Sequence, residues 1–186
     1  FRVNVEMPSA VEVSTSDMPR MYGVPHRAWL AIDSRVVSEP TIGRHVHRVS
    51  VRFGDCDPAG IVYFPRFFDF FHQAMETWFA DALGVAYDEV INGRKVGFPA
   101  VHTEADFSAP SRFGEVLDVE LSVQRLGRTS ITFVYAIRSA AELEPRVTGK
   151  TVCAVYDLDP SSDRFRRAIP WPDDLREAVQ RFGPAS

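Results

Sequence analysis

Two carboxylates separated by one residue, Asp55 and Asp57, stand between a strand-like run and a strongly apolar, helix-like one. The stretch reads Arg52-Phe53-Gly54-Asp55-Cys56-Asp57-Pro58-Ala59-Gly60-Ile61-Val62-Tyr63-Phe64-Pro65. A carboxylate at the start of a helix lies beside unsatisfied main-chain N–H groups and a positive dipole end, a setting in which it can act as base or nucleophile. Each residue also has a plainer reading. Asp57 before Pro58 suits a turn or a helix cap, and Asp55 suits an organiser of loop amides. Cys56 is a nucleophile by type, but its flanking acids disfavour the thiolate, which leaves it a small buried residue.

The flanking chain decides whether such a loop can be held. His47, Val49, Val51 and Phe53 alternate with Arg48, Ser50 and Arg52, the period-two pattern of a half-buried strand ending at Gly54. Pro65 suits the first helical position. From Arg66 to Leu83 there is no proline or glycine, and Phe67, Phe68, Phe70, Phe71, Ala74, Met75, Trp78, Phe79 and Leu83 cover more than one face. A helix this apolar is expected to be enclosed by other elements or by a subunit. Gly84 marks its stop, and a short helix is expected over 86–91 before Asn92-Gly93.

Strands follow. Val101–Phe107, Leu117–Val123 and Ile131–Ile137 each alternate apolar and polar residues, and a longer strand is expected from Val147 to Leu158 with Val152, Ala154, Tyr156 and Leu158 on one face. After a turn at Asp159-Pro160-Ser161-Ser162-Asp163, Phe165–Ile169 reads as a returning strand. Pro172-Asp173-Asp174 opens an amphipathic helix with Leu175, Ala178, Val179 and Phe182 on its apolar face. One strand, a long helix and four or five consecutive strands predict an α+β fold in which an antiparallel sheet wraps a long central helix. A single helix cannot cover both faces of such a sheet, so dimerisation is expected. The Asp-x-Asp spacing also suits a phosphatase nucleophile, but that chemistry needs a parallel α/β frame and a glycine-threonine continuation, whereas Asp57 is followed by Pro58-Ala59.

The bulk properties narrow the partners. The chain has 186 residues, 45% of them apolar, and a formal net charge of −4, which argues against nucleic acid. No apolar run approaches the ~20 residues of a membrane span. Cys56 and Cys153 are too few for a disulfide framework and lack metal-type spacing, so a cytoplasmic setting is expected. No signal-peptide pattern is visible from Phe1 onward. Residues 1–44, interrupted by Pro8, Pro19, Pro25 and Pro40, read as an irregular N-terminal extension, and 45–186 as the domain.

The stretch Gly54–Phe68 resembles the start of 4-hydroxybenzoyl-CoA thioesterases of the hot-dog superfamily, in the subgroup that uses an aspartate in this loop. Gly97-Phe98-Pro99-Ala100-Val101, Phe107-Ser108-Ala109-Pro110, Gly114-Glu115-Val116-Leu117 and Leu126-Gly127-Arg128-Thr129-Ser130 follow in the expected order, so the resemblance spans about residues 46–172. It implies a hot-dog fold and an acyl-CoA thioesterase that hydrolyses an aromatic, 4-hydroxybenzoyl-like, or other hydrophobic acyl-CoA. It also implies a homodimer or homotetramer that needs no metal or cofactor.

Carried over by residue, the resemblance makes Asp57 the catalytic aspartate and the main-chain N–H of Phe64 the donor to the thioester carbonyl. Such a donor stabilises the charge that develops on attack and is typically worth ~3–4 kcal/mol. Arg128 and Ser130 fall at the turn that contacts the phosphates of coenzyme A, with Gly127 where an arginine is often found. Arg167 matches a second cation, and Tyr87 takes the place of a tryptophan that follows the helix. Phe64 stands where Tol–Pal-associated relatives carry histidine, which disfavours short acyl or carrier-protein substrates. Glu76, on the helix beside His72, is the reserve carboxylate, since a helix glutamate is catalytic in another subgroup. Whether Asp57 attacks the carbonyl or activates water stays open. The alternatives are a non-catalytic acyl-CoA- or partner-binding module, and a dehydratase, which would need a histidine–aspartate pair that Asp57 does not have.

Overall fold

The long helix α1, Arg66–Leu83, lies against one face of a five-stranded antiparallel sheet. The computed structural model describes residues 42–183, so residues 1–41 of the extension expected over 1–44 lie outside the described residues, while 42–44 belong to the first strand. The sheet comprises β1 (Ile42–Ser50), β3 (Ala100–Phe107), β4 (Val116–Leu126), β5 (Ser130–Ser139) and β6 (Val147–Ala154), in the order β1-β4-β5-β6-β3. A short pair, β2 (Val96–Gly97) with β7 (Tyr156–Asp157), and a C-terminal helix α2 (Asp173–Phe182) complete it.

In α1 the buried residues are Phe67, Phe70, Phe71, Ala74, Met75, Trp78 and Phe79. Their three- and four-residue steps form one stripe, the pattern of a helix with a single covered face. Among the described residues the opposite face is uncovered: Asp69, His72, Gln73, Glu76 and Ala80 are exposed. The stripe meets Leu117, Val119, Leu121 and Val123 of β4 and Ile131, Phe133, Tyr135 and Ile137 of β5, all buried in the same core. The Phe71 ring stacks on Tyr135 at 4.3 Å, and Trp78 meets Phe133 edge-on at 5.2 Å and Phe182 of α2 at 5.6 Å. Gly84 ends the helix in the left-handed conformation, φ 72°, with its N–H donating to the Phe79 carbonyl.

Several expectations shift. The first strand begins at Ile42 and stops at Ser50; Phe53 lies in a 3₁₀ turn and is 83% exposed. The short helix after Gly84 is a turn at Tyr87-Asp88 that widens into a single π turn over Glu89–Gly93. The long final strand is broken at Val155, whose N–H donates to the Thr129 carbonyl. Val147, Cys153 and Val155 are buried, while Val152 and Ala154 take the other face. The inward positions between them are Gly149 and Thr151, polar or featureless in sequence because they make room for α1. A Cβ on Gly149 would lie 2.4 Å from the Phe71 ring. The returning strand at 165–169 shrinks to one bridge, Tyr156 to Ala168, since Arg166 adopts a left-handed backbone (φ 58°) that bends the chain. The edge strand β3 alternates as expected but buries neither face fully; Val101 is 59% exposed.

His45 of β1 is buried under α1, with Nε2 2.9 Å from the Thr77 hydroxyl. That hydroxyl lies 3.2 Å from the Gln73 and Ala74 carbonyls and donates to them, so the imidazole N–H donates to Thr77. Burial holds the His45 pKa below its ordinary 6.5, against the opposing charge of Asp81. The unfolded chain therefore takes up the proton at higher pH than the folded one. The stabilisation is complete above the unfolded value and is lost as pH falls through the folded value.

Two outcomes follow. Urea midpoints at about pH 8 and about pH 5.5 should show a loss of stability at the lower pH that is smaller in His45→Gln than in the wild type. Gly149→Ala should lower thermal stability by about 1–3 kcal/mol through overpacking against Phe71, read as a drop in Tm.

Candidate active site

The loop between β1 and α1 is fastened at its base by Asp55. This residue is buried; its Oδ2 accepts the Arg52 N–H at 2.8 Å, and its Oδ1 accepts Nε and Nη2 of Arg66 at 3.0 and 2.7 Å. The Asp55 carbonyl accepts the Tyr63 N–H at 2.8 Å. One carboxylate thus ties the start of the loop to the first residue of α1, and the pairing raises the Arg66 pKa, chiefly through its hydrogen bonds to Asp55. The supporting role expected of Asp55 is the role it has here. The sequence reading missed Arg66, although its i,i+3 partner Asp69, at 2.7 Å, was visible as a helix pair.

Above that base the chain makes a tight excursion. Cys56 bridges to Val62, the Asp57 N–H donates to the Ile61 carbonyl at 2.9 Å, and the Gly60 N–H donates back to the Asp57 carbonyl at 2.9 Å. Gly60 has φ 76°, a conformation that favours glycine. A second segment braces the loop, with the Val62 N–H donating to the Ser111 carbonyl at 2.8 Å. Ser111 was not foreseen; it is buried, and its hydroxyl has no partner among the described residues.

Asp57 sits at the mouth of this excursion and is partly exposed. Its Oδ1 accepts the Ala59 N–H at 2.8 Å, an Asx turn, while no donor to Oδ2 occurs among the described residues. The turn reading and the functional reading therefore coexist: one oxygen orients the carboxylate and the other is open. Phe64 stands at the end of the same loop, 56% exposed, with its ring edge-on to Tyr63 at 5.4 Å. Its carbonyl accepts the Phe67 N–H at 3.2 Å, whereas its own N–H has no acceptor among the described residues. Pro65 has helical angles, φ −64° and ψ −21°, but holds the cap position just before Arg66 instead of the first helical one. An oriented carboxylate and an open main-chain donor at a helix start can supply a base or nucleophile together with charge stabilisation.

The other expected residues fall into two further places. Arg128 and Ser130 share the turn between β4 and β5. The Gly127 N–H donates to the Ser130 carbonyl at 2.9 Å, and Arg176 of α2 donates to the Gly127 carbonyl at 2.8 Å. Trp171 donates through its main chain to the Arg128 carbonyl and through Nε1 to the Ser130 carbonyl, at 3.2 and 3.3 Å, so the exposed Arg128 side chain rides on a fixed turn. A Cβ on Gly127 would come within 2.6 Å of the Ser130 hydroxyl, which favours glycine there.

Tyr87 lies elsewhere, half-buried against Phe79, Phe98 and His72 at ring distances of 5.0, 6.4 and 5.8 Å. Burial, with lesser contributions from Cys153 and Glu76, pushes its phenol up to about 12, so it is a neutral donor at physiological pH. Arg167 is exposed and fixed only through its main chain, to Arg164 and Asp157; its neighbour Arg166 is the cation that shares a groove with Tyr87. The reserve residue Glu76 pairs with His72 at 3.2 Å on the open face of α1. No hydrogen bond or ring contact within the described residues joins Asp57 to the Tyr87 or Arg128 places. Nor do those residues include a group of three or more His, Cys, Asp or Glu arranged to hold a metal, or a helix long and apolar enough to cross a membrane.

Comparison with known proteins bears on this arrangement. A 1,4-dihydroxy-2-naphthoyl-CoA hydrolase from Synechococcus elongatus is 32% identical over 131 residues, covering 70% of this chain and 90% of the relative. A gentisyl-coenzyme A thioesterase structure superposes with a TM-score of 0.63 at 25% identity, covering 72% of this chain and 98% of that one. A 4-hydroxybenzoyl-CoA thioesterase structure shares the fold, with a TM-score of 0.65 at 22% identity over 73% of this chain and 98% of that one. The resemblance read from the loop is thus sustained as far as the hot-dog fold and the thioesterase superfamily. The sequence profile of the thioesterase-like superfamily matches residues 51–179, from just after β1 into the C-terminal helix, and the chain belongs to that superfamily.

Proposed function

We propose that this thioester hydrolase cleaves acyl-CoA whose acyl group is aromatic or otherwise hydrophobic, with Asp57 as the reacting carboxylate. The observation that carries the reading is the pairing of Asp57, one oxygen held by the Ala59 N–H and the other open, with the unoccupied Phe64 N–H at the start of α1. The names of two of the similar proteins support the aryl class, a 1,4-dihydroxy-2-naphthoyl-CoA hydrolase and a gentisyl-coenzyme A thioesterase.

The chemistry follows from the geometry. The thioester carbonyl accepts the Phe64 N–H, which stabilises the oxygen as it gains negative charge. Asp57 then either removes a proton from the attacking water or attacks the carbonyl carbon itself, giving a mixed anhydride that water cleaves. In both routes the C–S bond breaks, the sulfur leaves as the thiolate of CoA and is protonated, and one water is consumed to yield the free acid. Arg128, with Ser130, and Arg167 offer donors to the phosphates of CoA. Both arginines are exposed and lack a carboxylate partner among the described residues.

We also propose that the working unit is a homodimer or homotetramer. Support comes from β3, an edge strand with Val101 59% exposed, and from the uncovered His72–Glu76 face of α1. An open edge of this kind is a ready template for pairing with a second chain. Assembly would also let Asp57 and Tyr87, separate in one chain, meet across subunits.

Thiol release from a panel of acyl-CoAs, read beside circular dichroism, tests the reading. Asp57→Asn should keep the fold and lower kcat/KM by about 10²–10⁴-fold, the usual range for a positioned acid–base group. Equal rates in both proteins would remove Asp57 from its role, and tight acyl-CoA binding without turnover in the wild type would favour the non-catalytic module.

A further inference from the structure

A groove of about 450 Å³ beside Tyr87 plays no part in bond cleavage as described above. Its walls include Tyr87, Ile91, Phe98, Tyr156, Leu158 and Arg166. The size falls within the range of small-molecule pockets, and the wall is apolar and aromatic apart from one cation. Leu158 packs directly against Gly97, where a Cβ would come within 2.8 Å of it.

Arg166 is held in place by the fold. Its left-handed backbone (φ 58°) is pinned by its N–H donating to the Asp157 carbonyl at 2.8 Å. Its guanidinium is braced over the Phe165 ring, 4.9 Å from the centroid. Asp163, the acid nearest in the chain, is exposed and forms no ion pair with Arg166 among the described residues, and the next two acids are committed to the loop itself. Asp157 accepts from the Asp159 N–H and the Ser162 hydroxyl at 2.8 and 2.6 Å, and Asp159 accepts from the N–H and hydroxyl of Ser161 at 2.9 and 2.7 Å. Arg166 has no carboxylate partner among the described residues, and Arg164 and Arg167 add charge of the same sign on either side of it. An exposed guanidinium at the edge of an apolar wall, without a carboxylate partner among the described residues, can donate charge-assisted hydrogen bonds to an anionic oxygen. Tyr87 is a neutral donor and does not oppose it.

We propose that this groove receives the acyl part of the substrate and that Arg166 determines specificity, favouring acyl groups whose far end carries an anionic oxygen, a carboxylate or a phenolate. The proposal rests on the acyl-CoA thioesterase reading. It differs from the CoA-phosphate role given to Arg128 and Arg167, because here the anion belongs to the acid that is released.

Matched substrates separate these roles. Benzoyl-CoA and 4-carboxybenzoyl-CoA form one pair, octanoyl-CoA and its ω-carboxy analogue another; kcat/KM is measured for the wild type, Arg166→Gln and Arg166→Lys. In at least one pair the wild type should prefer the acid. Arg166→Gln should lower kcat/KM for that acid about tenfold or more, the scale of one hydrogen bond to a charged group. It should leave the neutral partner within about twofold, and Arg166→Lys should restore part of the preference. Absence of a preference in both pairs overturns the proposal. So does an equal loss on both members of a pair, which would place Arg166 on the CoA portion. Failure of the wild type to turn over any of the four would instead defeat the thioesterase reading.

Discussion

The burial of one aromatic stripe is the constraint from which the rest follows. Phe67, Phe70, Phe71, Trp78 and Phe79 are each at most 3% exposed, and burial of a side chain of this size is worth roughly 1.5–3 kcal/mol. That burial seats α1 on the sheet, where the facing residues of β4, β5 and β6 are apolar or small. The notch at Gly149 is the local cost of seating Phe71 on Tyr135. Once α1 is fixed by its apolar face, its first turn is fixed as well. The Asp57 loop hangs from a rigid post.

Charge then completes what packing begins. Asp55 is buried with its carboxylate shared between a main-chain N–H and the Arg66 guanidinium, so that each of its oxygens has a donor. That clamp leaves Asp57, two residues on, free to face outward while its position is set by short hydrogen bonds within the loop. The division between a structural and a reacting carboxylate is thus a matter of which one the helix start captures. The same logic recurs at the other end of the chain. There the loop acids Asp157 and Asp159 are occupied by their own turn and leave Arg166 without a counter-ion beside an apolar wall.

Much of this was legible in residue order. The strand–helix–strands succession, the stop at Gly84, the alternation of β4 and β5, and the amphipathic C-terminal helix all follow from periodicity and from residues with strong local preferences. So did the focal loop, because a proline, a glycine and two acids have few alternatives between a strand and a helix. Where the reading went astray, a tertiary contact had replaced the local signal. The inward face of β6 carries Gly149 and Thr151, so its residue types did not announce which face is buried. The expected strand after residue 163 was bent by the left-handed Arg166, a non-glycine conformation that composition does not announce. Phe53 looked like a core residue by its alternation and is instead displayed on a turn.

Residue types and their order by themselves determined the fold class, the central helix and the two carboxylates before it, because each depends on interactions between residues close in the chain. Only the tertiary structure decided that Asp55 is the clamp, that one Asp57 oxygen is open, that Arg166 and not Arg167 faces the Tyr87 groove, and that one face of α1 remains uncovered. Those outcomes depend on pairs brought together from distant parts of the chain, Asp55 and Arg66 excepted, and on which donors the backbone has already used. The burial of α1 against the sheet sets both, and no local pattern encodes it.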